Sequence, residues 1–260
     1  MEGLKLQNIT VNIGKSTLIE SVSVSVNRGE VLSIIGPNGS GKTTLMRAIS
    51  CEIDTVSGSI SIDDQPLWKL NPRRRACQLA ALQQFSSLSF PFTVEEVVEL
   101  SRIPHSSGKH CDRQIVQNSL QAMDILYLQK HLYTRLSGGE KQRVQLARVM
   151  AQIWREEDAF GTRLLLLDEP TSALDLGHQR QLMQVIRHFA NRGVAIVMAV
   201  HDLNLASCCA DYVLALAGGR TIAYGRPKDV IKAEVVKQLY GIDVEVVNHS
   251  NNGWPVVLSL

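Results

Sequence analysis

Three short runs in this chain carry residue types at spacings that can handle phosphate. The first, Gly36-Pro37-Asn38-Gly39-Ser40-Gly41-Lys42-Thr43, matches GxxxxGK[ST] and is followed by Thr44. Its glycines let the backbone curl so that successive N–H groups face phosphate oxygens, and a helix opening there adds roughly half a positive charge. Lys42 can reach terminal phosphates, and the Thr43 hydroxyl can hold magnesium. The second run, Leu164 to Leu167, ends in Asp168-Glu169. Asp168 can hold the same ion through its water shell, while Glu169 can orient or deprotonate a water attacking phosphorus. Alternation along a strand is expected to aim these two acids in different directions. The third run is Ser137-Gly138-Gly139-Glu140. Ser137 and Glu140 alone make a capping box, but two adjacent glycines also open the backbone of a helix start to an anion.

These runs need elements to carry them. Val22, Val24 and Val26 alternate with serines, which predicts a half-exposed antiparallel strand, whereas Val31 to Ile35 reads as a buried central strand. The phosphate run follows that strand directly. Apolar runs at Leu164–Leu167 and Val194–Val200 flank a helical pattern over Leu176–Asn191 closed by Gly193, so a parallel α/β sheet is expected. The acids then fall at its carboxyl edge, where such sheets bind ligands. A capping box at Thr93–Glu96 and a helix following Asp112 through Met123 predict a helical insertion over residues 86–154. It divides a core of residues 1–85 and 155–240. A strand at Thr221–Tyr224, a helix start at Pro227 and a hairpin around Asn252-Gly253 follow, with residues 241–260 as an extension.

Composition narrows the classes. With 27 Lys+Arg against 25 Asp+Glu the formal charge is only +2, so Arg73-Arg74-Arg75 reads as a solvated face and not as a nucleic-acid surface. No run reaches the roughly 18 apolar residues of a membrane span, and Met1 to Lys5 do not open a secretory leader. Five cysteines without a CxxC pair fit reduced thiols, with Cys208-Cys209 as small core residues. His105, His110 and Cys111 match no zinc spacing and read as an exposed loop.

In order and type, the three runs resemble those of ATP-binding cassette (ABC) ATPases over nearly the whole chain. The resemblance implies an α/β fold: a P-loop NTPase (RecA-like) core with an antiparallel β subdomain and an inserted α-helical subdomain. It implies ATP hydrolysis with Mg²⁺, Gly36 to Thr44 cradling the nucleotide, and Thr43, Gln83 and Asp168 at the metal. Gln83 looks like the Q-loop glutamine, Asp175 like the end of the D-loop Ser172-Ala-Leu-Asp175, and His201 like the switch histidine at the γ-phosphate. Taken alone, His201 after an apolar strand would read as a core histidine; the company it keeps reverses that. Glu169, His201 and Gln83 are thus the catalytic expectation. In the family, Ser137, Gly138 and Gly139 of one copy close on the nucleotide of another, which implies a homodimer. The resemblance further implies a polytopic permease dimer docked on Gln83-Gln84-Phe85 and the helical insertion, and indirectly a periplasmic or extracellular substrate-binding protein. The chain would sit peripherally on the cytoplasmic face of the inner membrane and bind no nucleic acid. Ile13 stands where the family commonly has an aromatic against adenine.

Within the family, Val200-His201-Asp-Leu-Asn204-Leu-Ala206 resembles ATPases of iron-siderophore, haem and cobalamin importers. The Ile153–Gly161 segment, the Ser172–Gln179 run and the tail from Tyr240 to Leu258 are most similar to haem importers. A siderophore or cobalamin importer, and a soluble ABC ATPase without a transport role, are the alternatives.

Overall fold

The computed structural model describes residues 3–83, 90–155, 161–250 and 252–259. Gln84 and Phe85 of the expected docking loop, and Glu156 to Phe160 of the segment before the acids, lie outside the described residues.

Strands β1 (Gly3–Ile13) and β2 (Ser16–Asn27) form an antiparallel pair in which Val22, Val24 and Val26 are buried between exposed or half-buried serines. Then β3 (Val31–Ile35), buried at every position, runs into the glycine turn and α1 (Lys42–Ile49). Strands β4 (Ser57–Ile62) and β5 (Gln65–Pro66) complete a four-stranded sheet of order β2-β1-β4-β5. Next come α2 (Pro72–Gln78), started by Asn71 and Pro72, and β6 (Leu79–Leu82). Helices α3 (Val94–Glu99), α4 (Lys109–Ala122) and α5 (Gly138–Ile153) pack on one another before the chain returns as β7 (Arg163–Asp168). The remaining core elements are α6 (Leu176–Asn191), β8 (Val194–Ala199), α7 (Leu203–Cys209), β9 (Tyr212–Ala217) and β10 (Arg220–Gly225). Short α8 (Pro227–Val230), α9 (Ala233–Tyr240) and the hairpin of β11 (Val244–Asn248) and β12 (Pro255–Ser259) close the chain.

The second sheet has order β10-β9-β3-β8-β7-β6 and is parallel except for β10. Two apolar cores form on its faces because strand side chains alternate. Leu165 and Leu167 of β7 join Ile196 and Met198 of β8 in the core with the helices, while Leu164, Leu166, Ala195 and Val197 join α1 and the antiparallel sheet. All chain ends that matter to the phosphate site therefore emerge at one edge: β3 into Gly36, β6 into Gln83, β7 into Asp168-Glu169, and β8 into His201.

Two local expectations shift. Helix α4 begins at Lys109, three residues before Asp112, because the Asp112 carboxylate is engaged by Arg102 Nε at 2.8 Å and Ser107 Oγ at 2.7 Å instead of starting the helix. That start also places His110 and Cys111 in a helix, not a loop, and His105 is half-buried with Nε2 2.7 Å from the Gln152 carbonyl. Cys208 and Cys209 fall within α7; Cys209 is buried and Cys208 half-buried. Among the described residues no helix is long and apolar enough to cross a membrane.

Candidate functional site

The glycine turn exists because its backbone needs it. Gly36 has φ +150°, and a Cβ there would sit 2.1 Å from the Leu216 carbonyl. Gly41, at φ +103°, is the N-cap of α1, and a Cβ would meet Ile19 Cδ1 at 2.6 Å. No side chain caps α1 and no acid lies in its first turn, so its leading N–H groups are left for an anion. Lys42 is buried and folded back across the turn, donating from Nζ to the Gly36 carbonyl at 2.7 Å and the Pro37 carbonyl at 3.1 Å. Burial lowers its pKa, against the pull of Glu169 and Asp168. Ser40 is buried beside it; Pro37 is half-buried, and Asn38 and Gly39 are exposed.

Asp168 ends β7 at 4% exposure. Burial raises its carboxyl above the ordinary range, and a hydrogen bond with the Thr43 side chain works against that. Its Oδ1 has no hydrogen-bond partner among the described residues. A buried, unsatisfied carboxylate oxygen beside a threonine hydroxyl is the hard oxygen set that magnesium takes, so the residues fit that ion. Thr43, Gln83 and Asp168 line one cleft, together with Met46 and Arg47.

Glu169 departs from the expected reason for its direction. It lies one residue past β7 with φ +49°, a left-handed conformation uncommon for a non-glycine residue, and its N–H donates to the Ala199 carbonyl at 3.0 Å. This kink, not strand alternation, aims the side chain: Glu169 Oε1 lies 2.5 Å from His201 Nε2. The histidine comes from the neighbouring strand, since β8 pairs with β7 in register Asp168↔Ala199.

Ser137, Gly138, Gly139 and Asp175 do not line this cleft. Ser137 heads α5 with a complete capping box: its N–H and Oγ both reach Glu140 Oε2, at 2.8 and 2.7 Å. A Cβ on Gly138 would meet nothing within 4 Å among the described residues, so their packing does not account for that glycine. Asp175 caps α6 by accepting from the His178 N–H at 2.9 Å, a role that Asp before a helical pattern signals and that sequence reasoning passed over. Gln142 Nε2 donates to the Pro170 carbonyl at 3.3 Å, linking α5 to the turn after Glu169. Sequence reasoning also missed the contact of Tyr240, whose hydroxyl accepts from the Gly36 N–H at 3.2 Å; nothing local in the sequence signals a contact across 204 residues. Ile13 is 54% exposed, at the tip of the β1–β2 hairpin.

The family model described as ABC transporter matches residues 19–172, a span that includes the glycine turn, the Ser137 helix start and both acids. This chain belongs to the ABC transporter family. It is an ABC ATPase, and its fold is that of the family's cassettes. It is 43% identical to the Hemin import ATP-binding protein HmuV of Pseudomonas fluorescens over 98% of this chain and 99% of that protein. Against the protein of the same name from Gloeobacter violaceus the identity is 44%, over 99% of this chain and 94% of the other. Among solved structures, a chain of a metal-chelate type ABC transporter in an inward-facing conformation superposes with TM-score 0.81 at 23% identity, covering 100% of this chain and 97% of that one. A dimeric bacterial ABC transporter cassette gives TM-score 0.75 at 26% identity, covering 86% of this chain and 98% of the other.

Proposed function

We propose that this ABC ATPase powers haem uptake through a separate membrane permease, working as a homodimer with two nucleotide sites. The observation that carries the chemistry is the convergence, at one sheet edge, of a buried lysine in a glycine turn, an unsatisfied buried carboxylate and a Glu169–His201 pair 2.5 Å apart. The cargo reading is supported by relatives named for hemin import that match this chain end to end.

In this reading Gly36 to Thr44 cradle the phosphates of ATP, with Lys42 leaving its carbonyl partners for the terminal phosphate oxygens. Thr43, Asp168 and Gln83 would hold Mg²⁺, which when bound would supply positive charge against the phosphates. Glu169 takes the proton of the attacking water, and His201 holds that carboxylate in place while its ring contacts the γ-phosphate. Ser137, Gly138 and Gly139 of the partner copy, with Asp175 nearby, close the site. That arrangement is isologous, so one pairing builds two composite sites. Shifting a dimer from 1:99 closed to 99:1 needs roughly 5.5 kcal/mol of differential binding. Charge-assisted hydrogen bonds to a γ-phosphate, at about 1.5–3 kcal/mol each, supply it over two sites and are lost on hydrolysis.

The permease, with its substrate-binding protein outside, supplies the path that no described helix of this chain provides, and the chain would dock on the permease's cytoplasmic face. Reconstitution with its permease tests the cargo: haem should accelerate ATP turnover above the basal rate. Acceleration by a ferric siderophore or cobalamin alone would overturn the haem assignment and leave the ATPase standing.

A further inference from the structure

Two sequence segments that no catalytic role absorbs, Asp202 to Ala206 and the tail around Trp254 to Leu258, meet in the fold. Helix α7 starts two residues after His201, and Asp202 caps it by accepting from the Asn204 and Leu205 N–H groups at 2.8 and 3.1 Å. A helix of seven residues has little stability of its own, so its direction is set by what it packs against. Here that is β3, β12 and α8.

The seam with β12 is made at two points. Asn204 reads Val257 in both directions, accepting from its N–H at 2.7 Å and donating to its carbonyl at 3.2 Å. One helical turn on, the buried Ser207 hydroxyl donates to the Pro255 carbonyl at 2.5 Å. Positions three apart share a helix face, and positions two apart share a strand edge, so this pairing fixes both the place and the tilt of α7. The free edge of β12 is thereby covered; its other edge pairs with β11. The same C-terminal unit reaches the phosphate turn through α9, where the half-buried Tyr240 accepts at its hydroxyl from the Gly36 N–H.

We propose that Asn204 is a positioning residue for ATP hydrolysis, holding His201 in register with the phosphate turn by clasping the C-terminal hairpin. The proposal rests on the role given above to His201. Loss of the clasp leaves the phosphate cradle intact and lets the histidine drift from Glu169, which costs rate more than binding.

The test is steady-state ATP hydrolysis by the purified full chain, comparing Asn204→Ala and Val257→Pro with the parent, alongside His201→Ala. Val257→Pro removes the N–H that Asn204 accepts from, at an edge position where proline does not break the β11 ladder. Each seam variant should lower kcat by roughly tenfold to a hundredfold, as small misplacements of catalytic groups do. KM should stay within about twofold, the mark of an interaction used in the transition state. Amides of Leu203 to Cys209 should exchange faster in both. Unchanged kcat in a folded seam variant, or a rise in KM alone, would overturn the proposal; if one variant fails to fold, the other decides. Full turnover by His201→Ala would instead overturn the role of the histidine itself, so the two failures are distinguishable.

Discussion

Glu169 and His201 meet at 2.5 Å although they follow different strands, because β7 and β8 are parallel neighbours in register and the chain kinks at Glu169 with φ +49°. The pair places a carboxylate at the mouth of the phosphate turn with its direction held by an imidazole. Glu169→Gln keeps the size and removes the proposed base. Its ATP affinity should be retained while turnover falls by about 10²–10⁴-fold, the usual worth of a positioned general base. Rapid-mixing ATPase assays check the rate, and small-angle scattering with Mg-ATP should show an accumulated closed dimer. Brisk hydrolysis by this variant would remove Glu169 from the mechanism.

Gly138 distinguishes the demands of the single chain from those of the proposed dimer. A Cβ at this first-turn position of α5 meets no atom of the described residues within 4 Å, and the backbone is helical. Gly138→Ala should therefore leave stability unchanged or raise it by about 0.4–1 kcal/mol. Turnover should fall nonetheless if the proposed dimer forms, since the added methyl would stand where that reading brings the partner's nucleotide. Urea denaturation and ATPase assays on the same preparation read the two effects; undiminished turnover would argue against Gly138 closing a composite site.

His105 is set against acid. Burial, then the Arg102 guanidinium, lowers its pKa from 6.5 to about 4, with Arg155 adding to the effect and the Gln152 carbonyl and Asp112 opposing it. The unfolded chain thus takes up this proton first as pH falls. Stability should be insensitive to His105 above about pH 6.5 and should decline between there and about pH 4, because the unfolded state binds more protons in that window. His105→Gln should flatten that part of the profile in denaturation midpoints measured from pH 7 to pH 4.5. An unaltered slope would show that other groups carry it.

Cys208 should be the fast thiol. The hydrogen bond from Cys209, 3.2 Å away, lowers its pKa to about 7, while burial raises those of Cys51 and Cys77. Thiolate is the reacting form, so mass spectrometry after brief iodoacetamide treatment at pH 7.5 should find Cys208 labelled ahead of Cys51 and Cys77. Equal labelling of all three would contradict this ordering.

Much was readable without coordinates, and for a common reason. The glycine turn, the capping boxes at Thr93 and Ser137 and the largely apolar runs of β3, β7 and β8 are patterns among residues within one turn or strand of each other. One misreading arose where partners outside the helix intervened: Asp112 reads as a helix start, but Arg102 and Ser107 take its carboxylate.

From sequence alone came the phosphate-binding run, the alternation that makes a parallel sheet, and the resemblance that named the family. Local backbone geometry and hydrophobic period are properties of neighbouring residues, so the sequence carries them directly. Only the tertiary structure decided that Thr43, Gln83 and Asp168 share a cleft, that a left-handed kink turns Glu169 onto His201, and that Asn204 clasps Val257 while Tyr240 touches Gly36. Those relations join residues from different strands and helices, and strand order and register, which no short stretch of chain encodes, set them.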